Sequence, residues 1–168
     1  MEKYKDEVID VERKIKILFV CYGNTCRSPM AQSMFINMLK EKGLEDRFEI
    51  DSAGTDVKEA GYRPSNGART TLEAMKIPLA EHTSRQLSYY DYKEHDFLIG
   101  MDFYTIQRMD SIFVGDPDGK IYRLLDFSDI KRDVKDPYCT GDYKTAYKEI
   151  VIGLQGFWSF LEGRGLIR

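Results

Sequence analysis

A cysteine and an arginine separated by five residues, Cys21-Tyr-Gly-Asn-Thr-Cys-Arg27, run directly into Ser28-Pro29 and are the residues of this chain best suited to chemistry. The thiolate is the reactive form of cysteine, and a usual pKa of about 8.5 falls by one to several units at helix ends and beside cations. Arg27 supplies a planar, permanently charged fork that matches two oxygens of a phosphate better than the point charge of a lysine. Gly23 and Asn24 are residue types that tolerate positive φ, as a loop curling around an anion requires. Ser28 can donate a hydrogen bond back toward the sulfur. Spacing alone is weak evidence, because a cysteine is often a small buried hydrophobe. The weight comes from the added Gly-Asn and Ser-Pro and from the place of the loop between a strand and a helix. Cys26 has two readings: it packs beneath the loop, or it forms a reversible disulfide with Cys21 that protects the nucleophile.

The elements that position this loop follow from the hydrophobic pattern. The first 13 residues are charged and irregular and read as a flexible N-terminal extension, so the folded domain spans 14–168. Ile15–Val20 is a short apolar, β-rich run of the kind found in buried parallel strands. Ser28-Pro29 opens a helix, with Met30, Met34, Met38 and Leu39 at helical spacing and Gly43 placed to end it. Further strands are expected over Phe48–Ala53, Asp96–Met101 and Ile121–Phe127, and helices over Ser65–Lys76, Asp102–Val114 and Asp142–Leu161. Strands alternating with helices predict an α/β fold: a single three-layer domain with a parallel sheet covered by helices on both faces. In such sheets ligands bind at the carboxyl ends of the strands, where the Cys21–Arg27 loop lies.

Composition narrows the partners. With 168 residues, 42% of them hydrophobic, the chain fits one core. A formal net charge of −3 gives no general attraction to nucleic acid or anionic lipid, so an anion site must be built locally. No apolar run approaches the length of a membrane span, and Met1–Lys14 contains nothing like the apolar stretch of a signal peptide. Three cysteines are too few for a secreted disulfide scaffold, and the expected compartment is the cytoplasm. Two histidines and three scattered cysteines form no recognisable metal-ligand cluster, so no metal or other cofactor is expected.

The run Val20–Pro29 is similar to the signature loop of the low-molecular-weight protein tyrosine phosphatases, and further matches follow in the order of that family. Asp51-Ser-Ala-Gly54 resembles the segment after its second strand, His82–Leu87 its histidine-arginine segment, Met101-Asp102 the end of its third strand and Asp136-Pro-Tyr138 its general-acid loop. The resemblance covers about Ile15 to the C-terminus, makes 14–168 a phosphatase domain, and implies a sheet of four parallel strands. It implies that Cys21 is the nucleophile and forms a phosphocysteine, and that Arg27 binds the phosphoryl oxygens. By the same resemblance Asp136 protonates the leaving group and then activates water. The loop Tyr22, Gly23, Asn24, Thr25, Cys26 and Ser28 binds phosphate, with Ser52 and His82 hydrogen-bonding to Asn24 in support. Substrates would be phosphotyrosine-containing proteins, met by a monomer or weak dimer.

Departures from the family pattern bear on specificity. Tyr138, expected to stack on the substrate ring, is followed by Cys139 where a second aromatic is common, so one pocket wall is smaller. Thr55–Glu59 lacks the aromatic clamp often found there, leaving Tyr62 or Tyr22 to fill the place. Thr25 resembles the residue of the related protein arginine phosphatases, which makes phosphoarginine the alternative substrate. Arsenate reduction on the same fold would need a closely spaced resolving pair that Cys26 and Cys139 do not form. A non-enzymatic phosphocarrier would have no need of Asp136.

Overall fold

The computed structural model of the chain describes residues 13–168, beginning two residues before the first strand. The expected extension over 1–13 therefore lies outside the described residues except for Arg13, whose guanidinium pairs with Asp96 at 2.7 Å. The described residues form four strands, each followed by one or two of six α-helices: β1 (Ile15–Cys21), α1 (Arg27–Glu41), β2 (Phe48–Gly54), α2 (Asn66–Ala74), α3 (Asp91–Glu94), β3 (Phe97–Gly100), α4 (Phe103–Phe113), β4 (Ile121–Arg123), α5 (Pro137–Thr140) and α6 (Tyr143–Gly163). The strands pair in parallel in the order β2-β1-β3-β4. The progression reverses between β1 and β3, and that switch point opens a crevice beyond the carboxyl end of β1.

The alternation of side chains along β1 divides the core into two. Ile15, Ile17 and Phe19 join the cluster that packs against α1, α2 and α6, whereas Leu18 and Val20 join the one formed with Met109 and Phe113 of α4. This is the expected three-layer arrangement. Phe35 of α1 lies 5.9 Å from Phe19 of β1 and 5.6 Å from Phe157 of α6, ring centre to ring centre. Such aromatic contacts fix the direction of α1, and so the direction in which its N-terminus points.

Element boundaries depart from the sequence-based expectation where local capping or packing decides. Asp102 and Asp142 are N-caps of α4 and α6, each accepting from a backbone N–H three residues on. The helix expected to reach Lys76 stops at Ala74, since Lys76 turns left-handed at φ 57° ahead of Ile77-Pro78. The strand expected over Ile121–Phe127 pairs with β3 only through Arg123. Leu124–Phe127 instead forms a 3-10 turn that drives Leu124 and Leu125 into the core beneath α6. α6 approaches this turn so closely that a Cβ at Gly156 would sit 2.2 Å from the Phe127 carbonyl oxygen. Gly156→Ala is therefore expected to cost about 1–3 kcal/mol in urea unfolding, because backbone rather than a movable side chain must give way. An unchanged midpoint would show that the helix and turn can separate freely.

Candidate active site

Cys21 is the last residue of β1 and Arg27 the first of α1, so the loop between them spans the crevice at the switch point. No side chain caps the start of α1 and no acidic residue stands in its first turn. Its orphan N–H groups and the helix dipole remain available to an anion. The Cys21 sulfur lies 3.0 Å from the Ser28 hydroxyl. Asn24 holds that hydroxyl from the other side: its amide nitrogen donates to Ser28 Oγ at 2.8 Å and to Ser52 Oγ at 3.0 Å. Ser52 donates to Gln32 at 2.7 Å, which leaves its oxygen to accept. His82 Nε2 faces that oxygen at 3.1 Å and the Asn24 carbonyl oxygen at 2.8 Å, so this nitrogen carries a proton.

The network accounts for the backbone. Asn24 takes φ 56°, a left-handed conformation that a non-glycine residue keeps when its side chain is held on all sides. Gly23, also marked by its type for positive φ, does not adopt it. It lines the cavity. The glycine that the loop does require is Gly54 at the end of β2. A Cβ there would come within 2.7 Å of the Tyr22 carbonyl oxygen and 3.0 Å of the Asn24 nitrogen. Arg85 ties the outer support together, donating its backbone N–H to Asn24 Oδ1 and its guanidinium to Asp51 and Asp91. Burial opposes the charge on Asp51, but the bond to His82 and the charge of Arg85 prevail and hold its carboxyl well below the usual aspartate range.

Arg27 is 2% exposed, and its guanidinium is held by hydrogen bonds at one of its nitrogens. Nη1 donates to Asp102 Oδ2 at 2.6 Å and to the Val134 carbonyl at 2.8 Å, and Nη2 lies 3.6 Å from Asp136 Oδ2. Burial works against this charge, but the adjacent Cys21, Asp102 and Asp136 outweigh it and raise the guanidinium pKa further. The same pairing, against the cost of burial, lowers the Asp102 carboxyl. One nitrogen is thus anchored while the fork faces the cradle.

A cavity of 580 Å³ opens above the loop, lined by Cys21, Tyr22, Gly23, Thr25, Cys26, Arg27, Asp136 and Tyr138, and on the opposite rim by Asp56, Val57, Lys58, Glu59 and Tyr62. Tyr62 reaches the space left by the missing aromatic clamp and donates its hydroxyl to Glu59 at 2.5 Å. Tyr22 leans on Tyr104 at 5.8 Å. Asn24, Ser28, Ser52 and His82 lie beneath the cradle rather than in it. Cys139, named in the sequence as part of the pocket, is exposed on α5 and does not line it, because the turn begun by Asp136 accepting from the Tyr138 N–H directs only Tyr138 toward the cavity. All three cysteines are free thiols, and Cys26 packs beneath the loop against Ser65 at 3.3 Å and Tyr143 at 3.5 Å. Asp102, Gln32, Arg85 and the rim residues Asp56 and Glu59 had no role assigned from sequence. Asp102 carried a signal, an N-cap aspartate before an apolar helix, but not its partner 75 positions away.

Residues 16–162 match the family described as low molecular weight phosphotyrosine protein phosphatase. The low molecular weight protein-tyrosine-phosphatase YfkJ of Bacillus subtilis is 37% identical over 144 residues, 84% of this chain and 92% of that protein. The crystal structure of YfkJ superposes with a TM-score of 0.87 at 33% identity, over 90% of this chain and 97% of that one. A structure of the YwlE arginine phosphatase, also from Bacillus subtilis, gives a TM-score of 0.78 at 27% identity, over 88% of this chain and 96% of that one.

Proposed function

The chain belongs to the low-molecular-weight phosphotyrosine protein phosphatases, and from that premise we propose that it hydrolyses phosphotyrosine in proteins through a phosphocysteine on Cys21. The observation that carries the reading is the convergence of a buried thiol, a pinned guanidinium and a carboxyl on one cavity. The Cys21 thiolate attacks phosphorus, and the S–P bond forms as the bond to the phenolic oxygen breaks. Arg27 and the α1 amides hold the equatorial oxygens, and Asp136 gives its proton to the departing phenolate. Water then attacks the phosphocysteine, Asp136 takes its proton, the S–P bond breaks, and inorganic phosphate leaves with the thiolate restored. Ser28 donates to the sulfur as it departs. No step draws on a cofactor.

Three tyrosines, Tyr22, Tyr62 and Tyr138, rise above a recessed nucleophile, which favours a flat phenol on a long arm over the short side chain of phosphoserine. Thr25 on the cavity wall and the likeness to YwlE support a second reading, phosphoarginine. The phosphocarrier reading has no use for a carboxyl in the cavity. Free thiols suit a reducing compartment, and we place the enzyme in the cytoplasm as a monomer or weak dimer acting on phosphoproteins. The test is hydrolysis of phosphotyrosine, phosphoarginine and phosphoserine peptides with a chelator present throughout. Phosphotyrosine should be cleaved best, and a preference for phosphoarginine would transfer the assignment to the second reading. In the same assay Tyr62→Ala and Tyr138→Ala should each raise KM for the phosphotyrosine peptide about three- to tenfold with little change in kcat, since stacking acts on bound substrate and transition state alike. A fall in kcat with KM unchanged would remove both rings from the role of pocket walls.

A further inference from the structure

Asp136 sits at the end of a segment, residues 128–135, that contains neither helix nor strand. Its place over the cavity is therefore set by the anchors of that segment rather than by a continuous ladder of backbone bonds. Two anchors belong to the cradle itself. Asp133 accepts from the Phe103 N–H at 2.8 Å and from Arg123 Nη1 at 3.1 Å, and Val134 donates to the Met101 carbonyl while its own carbonyl accepts from Arg27. The third comes from elsewhere in the fold. Arg132 donates through Nη1 to Glu149 Oε2 at 2.5 Å, and the same nitrogen bonds the Asp133 carbonyl at 3.2 Å.

Glu149 is an unusual residue for its place. It lies on the buried face of α6 with Ala146, Ile150 and Gly153, is 3% exposed, and has its second oxygen, Oε1, buried without a hydrogen-bond partner among the described residues. A carboxylate on an apolar stripe is costly unless it is paired, and an apolar side chain there would serve stability as well or better. What the pair supplies is a fixed point. α6 is held in the core by Ile150, Leu154 and Phe157, so Glu149 is a rigid post, and Arg132, half-exposed, is the strap that the loop extends to it.

We propose that Arg132 and Glu149 are positioning residues for the general acid: their pair sets the register of the acid loop so that Asp136 meets the leaving-group oxygen. This role rests on Asp136 being the general acid of the proposed reaction. Loosening the strap lets the carboxyl drift while the thiolate, the α1 amides and Arg27 stay in place. The loss then depends on how badly the leaving group needs a proton, whereas a purely structural pair would affect all substrates equally.

The test compares kcat/KM for phenyl phosphate, a poor leaving group, with that for p-nitrophenyl phosphate, a good one, in wild type, Arg132→Met, Arg132→Lys, Glu149→Gln and Asp136→Asn. Arg132→Met should lose roughly tenfold or more on phenyl phosphate and less than about threefold on p-nitrophenyl phosphate, with Arg132→Lys recovering most of the difference. Competitive inhibition by inorganic phosphate should be unchanged. Equal losses on both substrates, or no loss on either, would overturn the proposal. Should a single variant fail to fold because it leaves a buried group unpaired, the double variant Arg132→Met/Glu149→Leu, which buries no unpaired charge, decides by the same comparison of leaving groups. If Asp136→Asn shows no dependence on leaving group, the acid assignment itself is wrong. If it does and Arg132→Met does not, only the positioning role falls.

Discussion

Cys21→Ser should turn over no phosphotyrosine, with a loss of at least ~10⁴-fold, while still binding inorganic phosphate in the wild-type range. The two halves of this expectation come from different parts of the site. A serine hydroxyl stays protonated where a thiol can ionise, and the neighbouring Ser28 and Arg27 cannot remove its proton. Binding, by contrast, belongs to the uncapped N-terminus of α1 and the Arg27 fork, neither of which depends on sulfur. The substitution is close to isosteric, and the hydrogen bond across 3.0 Å to Ser28 survives the change of atom. Calorimetric titration with phosphate and a steady-state assay on one preparation check both halves. Turnover above about one percent of wild type would mean that another group attacks phosphorus. Loss of binding together with turnover would mean only that the cradle had collapsed.

The parts of this site that were legible in the sequence are those carried by short-range order. Cys21, Arg27 and the helix between Ser28 and Gly43 form one continuous segment, and strand-turn-helix punctuation is enough to place a cysteine, the proposed nucleophile, at a helix N-terminus. The sheet was legible for a related reason, since β1 alternates between the two cores within seven residues. What could not be read is set by contacts between distant segments. Asp102 restrains Arg27 from the far side of the crevice, and Arg132 finds Glu149 17 residues away on a helix whose apolar stripe would suggest only burial. The end of the fourth strand was misjudged for the same reason. Ile121–Phe127 reads as one apolar strand, but Leu124–Phe127, which includes Asp126, forms a 3-10 turn that packs closely against α6 at Gly156. The resemblance implies the roles of Ser52, His82 and Asp136, where residue patterns alone leave a polar stretch and an Asp-Pro turn; the structure shows Ser52 and His82 bonded to Asn24.

Replacing Asp136 should separate the two chemical steps. In Asp136→Asn the amide would keep the oxygen that accepts the Tyr138 N–H at 3.0 Å, and asparagine is as good an N-cap as aspartate, so α5 should remain formed. The change removes the proton that phenolate needs and the base that water needs. For phenyl phosphate the first step becomes limiting, and kcat/KM should fall by about 10²–10⁴-fold. For p-nitrophenyl phosphate, whose leaving group departs without much help, phosphocysteine should still form and then persist, because its hydrolysis lacks a base. Rapid mixing should therefore show a burst of nitrophenol approaching one equivalent per enzyme, followed by slow turnover, and the phosphorylated protein should be detectable by mass. Neither signal should occur in Cys21→Ser. Wild-type rates without a burst would reduce Asp136 to the cap of a four-residue helix. A stable phosphocysteine in the unmodified protein would favour a phosphocarrier, since the carboxyl would then be present in the cavity without activating water.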